Sequence, residues 1–327
     1  MLSTCVIIPA AGSGSRLGSS EPKAFVHVNG RTVLARSLET VISSGVASTI
    51  VVVAPEEFLM RAREEIAEVA AEQKCEISIT AVAGGEDRIS SVQTALKRER
   101  VADYVLVHDA ARCLTPPDVF ARVVAALRSG AEAVVPVLPM IDTVRRVVSH
   151  ETDGADPSGG AGSDANGVSD GIVGSIHGVS DAEISADRPN NPDPAVAEGS
   201  GAREVVRGDL DRAELRRVQT PQGFRAEVLR RAYAKFAAGG AGSAEGARST
   251  EGVGPTGGVG RVGSVLPTDD AGLVERLGVD IVAVDGDDEA LKITYPLDLV
   301  LAEQLARMRD GAAVPGADTL DSAKEPR

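Results

Sequence analysis

Cysteine is scarce in the 327-residue chain: Cys5, Cys75 and Cys113 form an odd set with no close pair. Neither a disulfide framework nor a zinc site is expected, and a reducing cytoplasm fits such usage. No apolar run approaches the roughly 20 residues of a membrane span, and no charged leader precedes the first apolar run, so a soluble, unexported protein without a membrane partner is expected. Gly-Lys-Ser and Gly-Lys-Thr are missing throughout, which excludes ordinary P-loop ATPase or GTPase chemistry. Positive charge is also short. Lysine and arginine total 34 against 48 acids, a net charge of −14, and no nucleic-acid partner is expected.

The acidity is unevenly spread. Residues 151–200 hold ten Asp or Glu, one Arg, nine Gly, no Leu and no aromatic, and so carry −9 of the −14. So little apolar area cannot offset roughly 1 to 2 kcal/mol of backbone entropy per residue, and 151–201 reads as a disordered acidic insertion. A second Gly, Ala and Ser-rich stretch, 239–264, reads as a flexible surface insertion, and 311–327 as a disordered tail. What remains is about 250 residues, one domain of ordinary size within 1–310.

Strand-like apolar runs recur at 4–8, 49–53, 77–82, 104–107, 133–137 and 280–284, separated by stretches of helical period such as Leu34, Leu38, Val41 and Ile42. Continuous apolar strands alternating with helices predict an α/β fold with a doubly wound, mostly parallel sheet, whose ligands bind beyond the carboxyl ends of the strands. Two short β-like runs, DTVRRVV and AREVVRGD, flank the acidic insertion and predict a projecting β-hairpin arm over about 142–209.

The first strand leaves through PAAGSGSRLG, a glycine loop suited to anion binding by backbone N–H groups. Gly12 and Gly14 are followed by Leu17 where a dinucleotide fingerprint needs a third small residue, and no acid closes a second strand as that motif requires. NAD is disfavoured. Asp109 follows the buried run YVLVH, where a carboxylate must bind a ligand or metal or be otherwise satisfied. His108 reads as a packed, hydrogen-bonded side chain. Arg88 opens a helix and can cap or pair locally. Thr268 reads as a helix cap, with Asp269 and Asp270 on the dipole. Arg16, Lys23 and Lys292 stand in loops or at strand ends that this fold gathers on one edge, and local positive charge on a mildly acidic domain suits a polyanion such as a nucleoside triphosphate.

In order along the chain, PAAGSGSRLG with PKAF, AGGEDRISSVQTAL, VHDAAR, DTVRR, TPQGF, TDDAGLVE and KITYPLDL resemble the 2-C-methyl-D-erythritol 4-phosphate cytidylyltransferases. The likeness spans nearly all of the chain outside the insertions and the tail. It implies the nucleotide-diphospho-sugar transferase type of Rossmann-like sheet, and transfer of CMP from CTP to methylerythritol 4-phosphate with Mg²⁺ held mainly through the CTP phosphates and no protein metal set. By motif match it implies Arg16 and Lys23 as transition-state stabilisers, and Ala10, Ala11, Gly12 and Gly14 as the triphosphate cradle. Gly85 to Ser91 would read the cytosine, while Asp109, Ala110 and Arg112 would contact ribose and the second substrate. Arg212, Thr220 and Lys292 would orient that substrate, with Arg212 and Lys292 counted among the catalytic cations. The resemblance also implies a homodimer whose arms cross, so that Thr143 and Arg212 complete the other subunit's site.

The chain departs from the pattern in the length of its arm insertion, in Cys113 where proline is usual and in Arg145 where lysine is common. A ribitol 5-phosphate cytidylyltransferase carries similar motifs and stays open as an alternative, as does a nucleotide-binding protein without turnover.

Overall fold

The computed structural model describes residues 2–12, 14–19, 21–85, 87–151, 202–240 and 267–311. The acidic segment from 152 to 201, the second insertion from 241 and the tail from 312 lie outside the described residues. Two compact units are present: residues 1–141 with 213–327, and residues 142–212.

The larger unit is built on an eight-stranded sheet among the described residues. Strands β1 (Thr4–Pro9), β4 (Thr49–Ala54), β5 (Ser78–Ala83) and β6 (Tyr104–Val107) run parallel in the order β5-β4-β1-β6. Beyond β6 the short strand β11 (Gln222–Arg225) enters antiparallel between β6 and β7 (Ala133–Pro139). β10 (Arg216–Val218) pairs antiparallel with β7, and β12 (Ile281–Asp285) parallel with it. β2 (His27–Val28) and β3 (Arg31–Thr32) form a small separate hairpin. The six strand-like runs of the sequence all appear as strands. The two antiparallel strands β10 and β11 are additional, each only three or four residues long and too short to show a period.

Burial on both faces explains the continuous apolar strands. In β1, Cys5 and Ile7 point to one core and Val6 and Ile8 to the other, the two-residue alternation of a strand. One core is completed by α1 (Val33–Ser43), α2 (Leu59–Glu72), α4 (Pro117–Arg128) and α7 (Pro296–Arg309). The opposite core takes α3 (Arg88–Arg98), α5 (Ala226–Gly240) and α6 (Asp270–Glu275). Leu34, Leu38 and Val41 on one face of α1 are fully buried, and its first turn is capped by Thr32, whose hydroxyl accepts from the Ala35 N–H at 3.0 Å.

In the smaller unit, β8 (Arg145–Glu151) and β9 (Ala202–Asp209) pair antiparallel, from Arg145 opposite Asp209 to Glu151 opposite Ala202. They are the two runs that flank the acidic segment.

His108 follows β6 and is completely buried. Its Nδ1 lies 3.2 Å from the Thr220 hydroxyl, and its ring packs 4.8 Å from that of Phe120. Burial pushes the imidazole down to about 4. Above the ordinary imidazole value the ring is neutral in both states; below it the unfolded chain binds a proton that the buried ring refuses. Stability is therefore lost as pH falls from about 6.5 toward about 4, by up to roughly 3 kcal/mol. Urea denaturation across that window should show this descent in the wild type and a shallower one in His108→Gln.

Candidate active site

Four parallel strands deliver their carboxyl ends to one edge of the sheet. β1 leads into the glycine loop, β5 into Gly84 and Gly85, β6 into His108 and Asp109, and β12 into the loop that carries Lys292. A cleft of about 400 Å³ opens there, lined by Ala10, Ala11, Gly12, Lys23, Gly85, Ser91, Asp109, Ala110 and Lys292, with Asp87 and Arg88.

The loops are fitted to one another by the absence of side chains. A Cβ on Gly84 would stand 2.8 Å from Ala11 Cβ and 3.0 Å from Ser91 Oγ, so only glycine lets the end of β5 approach the first loop. The Gly85 N–H donates to the Ser91 hydroxyl at 3.1 Å. Gly14 holds a φ of +72°, and an added Cβ there would meet the Lys23 backbone at 3.1 Å. Asp87 caps α3, its carboxylate accepting from the Ser90 N–H at 2.7 Å. Arg88 thereby becomes the first residue of that helix.

Asp109 is the electrostatic centre. Arg88 Nε donates to its Oδ1 at 3.1 Å, Lys292 Nζ donates to its Oδ2 at 2.7 Å, and the Asp109 N–H donates to the Thr220 hydroxyl at 3.1 Å. Burial pushes the carboxyl up, but Arg88 and then Lys292 outweigh it and hold Asp109 well below the usual carboxylate range. Arg88 also pairs with the fully buried Asp270 at 2.7 Å, and Tyr233 donates to the other oxygen of Asp270 at 2.5 Å. Burial opposes the Arg88 charge, yet Asp270 and Asp109 outweigh it and raise its pKa.

Lys23 donates to the Ile293 carbonyl at 2.8 Å. Burial, and next the neighbouring Lys292 charge, push its pKa down, with Asp109 opposing. A half-buried cation held below its ordinary value gains when a polyanion enters.

Ala10, Ala11, Gly12, Lys23, Gly85, Ser91, Asp109, Ala110 and Lys292, all singled out in the sequence, therefore line one cleft. Arg16 does not: it is exposed, and its guanidinium lies 5.9 Å from the centre of the Tyr295 ring. Arg112 is turned to the backbone, donating to the Ala290 carbonyl at 2.6 Å and to that of Val218 at 3.3 Å. Thr220 is buried behind Asp109. Thr143 and Arg212 belong to the unit of residues 142–212.

One expectation is corrected. Asp269, not Thr268, caps α6: its carboxylate accepts from the Gly272 N–H at 2.9 Å and from the Gln222 amide at 2.7 Å. Asp270 does stand in the first turn of α6, and it is also buried against Arg88 and Tyr233. Only the doubled aspartate hinted at it in the sequence, since its partner Arg88 lies far away along the chain.

The family model described as IspD, 2-C-methyl-D-erythritol 4-phosphate cytidylyltransferase, matches residues 4–154, 196–264 and 258–308. The chain belongs to the IspD family. It is 38% identical to the 2-C-methyl-D-erythritol 4-phosphate cytidylyltransferase of Rhodococcus opacus (strain B4), over 91% of this chain and 93% of that one. To the enzyme of the same name from Nocardia farcinica (strain IFM 10152) it is 37% identical, over 94% and 95%. The crystal structure of the Thermus thermophilus enzyme of that name superposes with a TM-score of 0.54 at 28% identity, covering 92% of this chain and 98% of its own.

In this IspD chain the Asp109 pairs are expected to hold the cleft together. Asp109→Asn should cost roughly 2 to 4 kcal/mol in urea denaturation, mostly through the Arg88 side, because Lys292 is 42% exposed and screened by solvent.

Proposed function

We propose that the cleft transfers CMP from CTP to 2-C-methyl-D-erythritol 4-phosphate, giving 4-CDP-2-C-methyl-D-erythritol and pyrophosphate. The observation that carries this is Lys23 and Lys292 facing a glycine loop, at the carboxyl edge of a parallel sheet, in a chain of the IspD family. An oxygen of the methylerythritol phosphate attacks the α-phosphorus of CTP. The bond to the bridging oxygen breaks, and pyrophosphate leaves with the electron pair.

The attacking phosphate, with its second pKa near ~6, is already a dianion at neutral pH and needs no general base. Asp109 fits that reading, since its two oxygens are taken by Arg88 and Lys292. Catalysis then lies in bringing two anions together and in stabilising charge that builds at the α-phosphate. The backbone of Ala10, Ala11, Gly12 and Gly14 cradles the triphosphate, and Gly85 with Ser91 reads the cytosine edge. Asp109 and Ala110 lie beside the ribose. Lys23 and Lys292 neutralise the phosphates, and Arg16 leaves the Tyr295 ring to join them when CTP is bound. Arg112 and Thr220 shape the pocket of the second substrate.

Mg²⁺ would neutralise phosphate charge and would be held mainly by CTP oxygens and water, as its hard coordination allows. Among the described residues no three His, Cys, Asp or Glu side chains gather into a metal-holding group. We further propose a cytoplasmic homodimer joined through the arms, with Thr143 and Arg212 completing the partner's site. Val147 and Val206, paired across β8 and β9 and both exposed, support the arm as a contact surface.

Pyrophosphate release should require CTP over UTP and ATP, and methylerythritol phosphate over ribitol 5-phosphate. Equal or greater turnover with ribitol 5-phosphate under matched conditions would reverse the assignment. Arg16→Ala should lose about 10²- to 10³-fold in kcat with its thermal midpoint unchanged; full retained activity would remove Arg16 from the mechanism.

A further inference from the structure

Two buried glutamines behind the cleft, Gln219 and Gln222, flank Thr220 and Pro221, whose peptide bond is cis, and neither lines the cleft. Gln219 Nε2 donates to the Asp287 carbonyl at 2.7 Å while its Oε1 accepts from the Asp287 N–H at 3.0 Å. Gln222 Nε2 donates to the Asp269 carboxylate at 2.7 Å while its Oε1 accepts from the Ala271 N–H at 3.0 Å. Each amide thus makes a two-way clasp on a distant segment. The first holds the loop that carries Lys292; the second holds the start of α6, which carries Asp270. Between them the Thr220 hydroxyl accepts from the Asp109 N–H.

We propose that Gln219 and Gln222 are positioning residues for the transfer reaction, Gln219 acting through Lys292 and Gln222 through Asp270 and Arg88. The chemistry requires an amide, because a carboxylate cannot donate to a carbonyl and a guanidinium cannot accept from an N–H. The fit is tight. A Cβ on Gly286 would stand 2.3 Å from Gln219 Oε1, so the loop meets the clasp backbone to side chain. Without the first clasp the Lys292 loop keeps the Arg112 bond to Ala290 and the Ile293 N–H bond to the Ala111 carbonyl, and it loosens without falling away.

The inference rests on the transferase reading for its kinetics but has a readout that needs no substrate. Acetic anhydride acylates free amines, and Lys292 is protected by its pair with Asp109. Mass spectrometry should show Lys292 acetylated about threefold faster in Gln219→Met than in wild type, with exposed Lys74 and Lys97 as internal standards and with little change in Gln222→Met. Unchanged Lys292 labelling, or equal changes in both variants, overturns the clasp even if CMP transfer is confirmed. Absence of CMP transfer with the expected labelling overturns only the reaction. In turnover, Gln219→Met should lower kcat about tenfold in the wild-type background and hardly at all in Lys292→Ala, whereas the same factor in both would mark a purely structural role. Should Gln219→Met fail to fold, Gln219→Glu serves instead. Its protonated acid both donates and accepts, so its rate relative to wild type should rise between about pH 8 and about pH 6, and a flat ratio overturns the proposal.

Discussion

A carboxylate that is 9% exposed stays charged only if cations come to it, and at Asp109 one comes from 21 residues before it and the other from 183 residues after it. Arg88 arrives on the first turn of α3 and Lys292 on the loop after β12. Neither could be brought so close to the other without the carboxylate between them, because two cations in a partly desolvated cleft repel. Arg88 is in turn held from behind by Asp270 and Tyr233. Charge therefore alternates along Asp270, Arg88, Asp109 and Lys292, and the outermost cation is the one left half exposed at the cleft.

That alternation depends on the sheet. The carboxyl ends of β1, β5, β6 and β12 reach one edge only because the strands run parallel with helices on both faces, and both apolar cores close behind them. The antiparallel insert β11 lies between β6 and β7 and places the Gln219 to Gln222 stretch directly behind Asp109. A purely parallel sheet would put a crossover connection there in place of a short buried strand. The reversal of direction thus has a local use: it supplies side-chain amides where loops from β12 and α6 need partners.

The fold was legible because its signals are local. Strand runs such as TCVIIP and YVLVH are buried on both faces, so they read as continuous apolar segments, and the amphipathic face of Leu34, Leu38 and Val41 reads as a helix. The glycine loop, Lys23, Asp109 and Lys292 were also recognisable, each a polar or flexible residue at the end of an apolar strand or inside a turn. What could not be read was partnership across sequence distance. Asp270 looks like any acid in a first helical turn until Arg88 and Tyr233 fold against it. Gln219 and Gln222 look like polar residues of a loop until their amides meet Asp287 and Asp269. Arg112 likewise shows its partners, the Ala290 and Val218 carbonyls, only once the chain is folded.

The choice of lysine at the cleft has its own physical sense. The chain holds six lysines against 28 arginines, yet two of the six, Lys23 and Lys292, line the cleft. Guanidinium is planar, stays charged when buried and spreads its donors in a rigid fork, which suits Arg88 bridging two carboxylates. An ammonium is compact and carries three donors that can be redirected. Lys23 gives one to the Ile293 carbonyl, and a charge whose pKa is pushed down by burial and by Lys292 has the most to gain from an arriving anion. An anion entering the cleft would replace the repulsion between the two lysines by shared attraction, and Lys292 could then leave Asp109 without uncovering a bare carboxylate, because Arg88 remains on it. The rigid cation thus keeps Asp109 paired from behind, and the two flexible ones are left facing the cleft.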